Sequence, residues 1–137
     1  MKDSELRAAF EDGSLDPDLF DHRNHLRLGW LYLQDCSPAL AIDNFTRGLR
    51  RYTRSVGAQM KYNETITWFY MLAIAERRLK YPADSFEDFI ARNSDLNTPG
   101  APLLKRSYMP ETLNSDLARE VFLLPDASSG TSARLAH

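Results

Sequence analysis

From Phe20 to Lys80 apolar side chains recur every three or four residues, and no stretch alternates apolar and polar positions as a half-buried strand does. That periodicity restricts the chain to packed helices. Positions 22, 25, 26, 29, 33 and 36 share one face of a helix predicted over Phe20–Gln34, so His22 and His25 continue the line of Leu26, Gly29 and Leu33. Ser37-Pro38 reads as a cap followed by proline at the first helical position, where a missing N–H is harmless. The next helix turns Ile42, Phe45, Leu49 and Tyr52 inward and ends near Gly57. A fourth helix starts at Tyr62 or Asn63, with Ile66, Phe69, Tyr70, Ala73 and Leu79 as its expected core, and stops at Tyr81-Pro82.

Shorter pieces flank these. Ser4 can cap a helix through Phe10 that Gly13 ends, and a loop with Pro17 follows. Asp84 with Glu87 resembles a capping box, opening a helix with Phe86, Phe89 and Ile90 on its inner face. Asn93 to Pro102 reads as a polar loop, and Leu103–Met109 and Leu113–Phe122 as short helical pieces split by Pro110. The expectation is a single-domain all-α bundle over 1–126, four main helices plus short C-terminal ones. The small polar residues beyond predict a disordered tail over 127–137.

Charge and composition narrow the function classes. A net charge of -2 lacks the basic excess that nucleic-acid binding needs. No apolar run approaches the roughly 18 residues that cross a bilayer. Cys36 is the one cysteine, so no internal disulfide forms, and Met1–Arg7 is too charged for a signal peptide. These features describe a cytoplasmic protein of bacterial style with no membrane or nucleic-acid partner. No pattern sets its oligomeric state.

The chain has three histidines, and two of them, His22 and His25, lie about 60° apart at one helix start. Short connections make neighbouring helices antiparallel, so the second and fourth begin at the same end of the bundle. The third helix ends there with Arg50, Arg51, Tyr52 and Arg54. Topology therefore gathers His22, His25, Tyr62, Asn63 and Glu64. One reading is a divalent metal site. Two neutral imidazoles and a carboxylate suit zinc, iron, nickel or manganese, with His22, His25 and Glu64 as ligands or Glu64 as the base acting on bound water. A second is a metal-free pocket. There His25 and Glu64 do acid–base work, His22, Tyr62 and Asn63 orient a ligand, and Arg51 holds an anionic group. A third is structural, the ring nitrogens being satisfied by carbonyls or by Glu64. Arg47, Arg50, Arg51 and Arg54 also suit a solvated face near a helix C-terminus, as do Arg77 and Arg78. Trp30, Tyr32, Trp68, Phe69 and Tyr70 read as core.

Two resemblances follow from these residues. Leu28, Gly29, Tyr32, Ala41, Phe45 and Gly48 keep the spacing of a tetratricopeptide repeat, with His25 where its Trp is usual and Thr53 where its Pro is usual. The match covers one unit of about 34 residues, whereas a stable array needs about three. It implies a helical hairpin, and an interaction module as the alternative function. The second resemblance is carried by Phe20-x-His22-x-x-His25-Leu26-Arg27-Leu28-x-Trp30-x-Tyr32-Leu33, by Tyr62-x-Glu64-Thr65-Ile66-Thr67, and by Leu113-x-Ser115-x-x-Ala118-Arg119-x-x-Phe122-x-x-Pro125-Asp126. These motifs resemble a family of small uncharacterised bacterial all-helical proteins, whose second motif reads Tyr-His-Glu-Thr. Asn63 stands at that histidine position. The resemblance implies a shared fold and pocket. The leading expectation is a small protein that binds a small ligand or divalent metal at this end, with acid–base or hydrolytic chemistry open to it.

Overall fold

Each helix begins where a side chain can accept an orphan N–H and ends where the backbone turns. The computed structural model describes residues 1–127. Its helices are α1 (Asp3–Asp12), α2 (His22–Asp35), α3 (Pro38–Ser55), α4 (Glu64–Lys80), α5 (Phe86–Arg92), α6 (Pro102–Ser107), α7 (Pro110–Leu113) and α8 (Asp116–Glu120). Single 3-10 turns intervene at Pro17–Leu19, Gln59–Lys61 and Ser94–Asn97. Among the described residues there is no strand. The fold is all-α, as the periodicity requires.

The antiparallel hairpin α2–α3 turns sharply at Cys36-Ser37. The Ser37 hydroxyl accepts from Leu40 N, and Pro38 occupies the first helical position. α4 packs across both members of the hairpin, and α1 also contacts both, α3 more extensively. Phe45, fully buried, stands where α1 meets the hairpin, with ring centroids 5.8 Å from Phe10 and 5.4 Å from Tyr32. Two glycines allow close approach. A Cβ on Gly48 would sit 3.1 Å from the Phe10 ring, and one on Gly29 would sit 2.7 Å from Met71 Sδ. The hairpin thus uses its small positions against α1 and α4. Trp30 packs on Phe86 and Phe89, which fixes α5.

Several boundaries differ from the sequence reading. α1 is capped at Lys2, whose backbone N donates to Glu5 Oε1 at 2.8 Å, so Ser4 lies inside the helix. Gly13 ends it in the left-handed region, at φ 81°. Ser85, not Asp84, caps α5. The segment expected as a polar loop after Asn93 contains the buried Leu96, and Asp95 ties it to α4 through Arg77, with Nη2 and Oδ2 2.8 Å apart. The Arg77 hydrogen bond holds the Asp95 carboxyl below its usual range.

The core of α4 is the largest correction. Tyr70 is buried, but Leu79 is 68 % exposed, and the inward residues include Thr65, Thr67, Met71, Ile74 and Ala75. The reason is that α4 is covered from two directions, by the hairpin and by the C-terminal segment. A helix covered twice has no single apolar stripe. The Thr65 hydroxyl, fully buried, donates to Val121 O at 2.7 Å and accepts from Leu123 N at 3.0 Å. Phe122 stacks on Trp68, Tyr108 donates to Leu123 O, and Asp126 accepts from Met109 N. Thr65→Val keeps the volume and strands the two backbone groups of this strap. Urea unfolding should show a loss of about 1–3 kcal/mol, and an unchanged midpoint would mean the strap is held by other contacts. Ala127 N still bonds Ser107 O at 3.0 Å; the rest of the tail expected to be disordered lies outside the described residues.

Candidate functional site

Three helix ends converge because each is capped at a definite residue. The Asp21 carboxylate accepts from Asn24 N at 2.8 Å, which starts α2 at His22. Asn63 Oδ1 accepts from Ile66 N at 2.9 Å while its Nδ2 donates to Leu113 O at 3.0 Å, which starts α4 at Glu64. α3 ends at Ser55; Gly57, at φ 73°, reverses the chain, and the 3-10 turn after it delivers Tyr62. Between these ends lies a cleft of about 350 Å³, in the size range of small-ligand pockets. Its walls are mostly apolar, with Phe20, Leu49, Tyr52, Val56 and Ile66, and its polar lining is His25, Thr53, Lys61, Tyr62, Asn63 and Thr67. The expected meeting of the α2 start, α3 end and α4 start is what the fold produces.

His25 is the unusual member. Its ring stacks on Phe20, with centroids 5.4 Å apart and planes 16° apart, and leans on Phe45 at 5.4 Å. Nε2 is sealed from solvent and has no hydrogen-bond partner. Burial, reinforced by the nearby His22 charge, lowers the ring's pKa from 6.5 to about 4. The imidazole is therefore neutral at pH 7, with one nitrogen unpaired. An unpaired buried nitrogen of this kind costs about 1–3 kcal/mol until something bonds it.

The other site candidates have different uses. His22 is exposed, its Nε2 donates to Leu96 O at 2.8 Å, and its ring meets Tyr70 edge-on at 5.0 Å. A carbonyl can only accept, so His22 carries its proton on Nε2. It borders a second cleft, formed with Asn97–Ala101, and Ile66 stands in the wall common to the two. Glu64 is saturated by donors. Its Oε1 accepts from Arg50 Nη2 at 2.9 Å and from the Tyr62 hydroxyl, and its Oε2 accepts from Trp68 Nε1 at 2.9 Å. Arg50 also lies over the Tyr62 ring, 5.0 Å from its centroid. Burial and the Glu64 bond raise the Tyr62 pKa. Arg51 borders a separate polar depression with Arg7, Glu11, Tyr32, Asn44 and Arg47.

The expected ligand trio of His22, His25 and Glu64 therefore does not assemble. Among the described residues no three His, Cys, Asp or Glu side chains converge as a metal site. The physical reason is competition: a backbone carbonyl takes His22, three donors take Glu64, and aromatic rings enclose His25. Asn63 caps α4 and holds Leu113.

Sequence reasoning did not single out Phe20, Tyr52, Thr53, Lys61 or Thr67 as cleft residues. Phe20 stood within the first motif, and Tyr52 at the helix end expected to arrive here, so both carried a signal. Thr53 reaches the cleft from the last turn of α3, and Lys61 through the turn after it, whose path depends on the left-handed Gly57 and not on any side-chain pattern. No family model, curated protein or solved structure matches this chain.

Proposed function

We propose that this protein binds a small, largely apolar molecule in the cleft between the starts of α2 and α4, and that the neutral imidazole of His25 is its central polar contact. The observation that carries the reading is a preformed cavity of about 350 Å³ lined by the ring of His25, whose Nε2, covered in the free protein, has no hydrogen-bond partner. Apolar walls supply affinity and a few polar groups supply orientation, the usual division in ligand sites. Thr53 and Lys61 are the further polar groups at hand. A ring whose pKa is lowered to about 4 carries almost no proton at pH 7, so His25 suits hydrogen bonding better than acid catalysis. No helix among the described residues is long and apolar enough to cross a membrane. The lone Cys36, free and half-buried, supports placing the protein in a reducing compartment such as the cytoplasm.

A fragment screen by thermal shift tests this. Small aromatic or alicyclic compounds with one hydrogen-bonding group should raise the melting temperature, since a ligand at a hundred times its Kd stabilises by about 2.7 kcal/mol. His25→Phe retains the ring packing and removes the nitrogens, and it should abolish the response to the best compounds. A set of hits that stabilises His25→Phe as well as the wild type would contradict the reading.

A further inference from the structure

On the far side of Thr53 and Tyr62 from His25 lies a second depression, of about 500 Å³, into which arginines from two separate elements face. Arg50 and Arg54 come from the last turns of α3, and Arg119 from α8. We propose that this depression is a binding site for an oxyanion, a carboxylate or a phosphate monoester, held by Arg54 and Arg119. The three cations are not equivalent. Arg50 is neutralised by Glu64 at 2.9 Å. Among the described residues Arg54 has no carboxylate within ion-pair distance. Arg119 has only Asp116, at 4.0 Å on a fully exposed side chain, and Met60 Sδ, at 3.5 Å from Nη2. Its Nε is buried and bonds nothing.

A buried N–H without an acceptor is costly in a guanidinium, whose fork matches the two oxygens of an oxyanion. Glu120 is the one carboxylate in the lining, so the unpaired Arg54 and the weakly paired Arg119 stand against a single lining anion. Macrodipole stabilisation at the end of α3 accounts for a cation at Arg54, but it leaves the Arg119 guanidinium without an oxygen acceptor at hydrogen-bond distance. The site stands independently of the His25 cleft, although Thr53 and Tyr62 belong to both.

The test is a titration of the ¹⁵N-labelled protein with inorganic phosphate at constant ionic strength, following the arginine Nε–Hε resonances. The Arg54 and Arg119 signals are expected to move saturably, and the Arg47 signal to stay in place. Arg54→Gln, an exposed substitution that leaves the fold intact, and Arg119→Gln should each weaken phosphate binding about tenfold or more, the loss of one charge-assisted contact. His25→Phe should bind phosphate as the wild type does. Linear, unsaturated shifts, equal movement of Arg47, or wild-type affinity in both arginine variants would overturn the proposal.

Discussion

Phe45→Ala is expected to lower the unfolding free energy by about 3–5 kcal/mol, the range for removing a buried phenyl ring. Phe45 is fully buried and touches the rings of Phe10, Tyr32 and His25, which come from α1 and α2. Its removal opens a void at the junction of three helices, and the surrounding rings are too rigid to fill it. Domains of this size have about 5–15 kcal/mol in total, so the loss is a large share. Phe45→Leu, which nearly conserves volume, should cost less than about 1.5 kcal/mol. Leu72→Ala, at a position 42 % exposed, should change stability by no more than about 0.5 kcal/mol. Urea unfolding of the three variants measures this, and a loss below about 1 kcal/mol for Phe45→Ala would mean the hairpin is not packed as described.

The second large effect is on pH dependence. In the folded protein the His25 pKa is about 4, against 6.5 in the unfolded chain. Between these values the unfolded chain binds a proton that the folded one refuses. Stability is therefore full above pH 6.5 and falls as the pH drops towards 4, by up to about 1.4 kcal/mol per pH unit. Asp95, whose carboxyl is held below 3.8 by Arg77, loses its contribution only at more acid pH. The decline from pH 6.5 to 4 should thus disappear in His25→Phe, measured as urea midpoints at several pH values. An equal decline in the variant would assign the acid sensitivity to other groups.

Much of the architecture could be read from the sequence, because caps and spacing are local. Ser37-Pro38, Gly13 and the stripe of Ile42, Phe45, Leu49 and Tyr52 all do in the structure what residue chemistry says they should. The α4 core is not legible from spacing because its surroundings are not local. Thr65 is buried by a segment more than fifty residues away, and Leu79 is exposed at the last turn. The site divides in the same way. Helix direction correctly brought the starts of α2 and α4 to the end of α3, which placed His25, Tyr62 and Asn63 around one cleft. What spacing could not show was which partner each side chain would take. Residues three apart on a helix share a face, yet His22 is drawn to Leu96 and His25 to Phe20, into different clefts. Glu64 was placed at the right end, but Arg50, Tyr62 and Trp68 claim its oxygens. Arg51, one residue from Arg50, points to the other side of α3, since consecutive helical residues do not share a face.

The central claim is that the neutral, unpartnered Nε2 of His25, covered in the free protein, becomes the hydrogen-bond partner of a ligand that fills the cleft. The direct measurement is the ¹⁵N chemical shift of His25 Nε2 at pH 7 as the strongest screening hit is added. The expected result is a neutral-imidazole spectrum in the free protein and a saturable movement of Nε2 as the hit bonds it, at concentrations matching the thermal shift. A ring already protonated at pH 7, or an Nε2 that stays fixed while the protein saturates, would contradict the account.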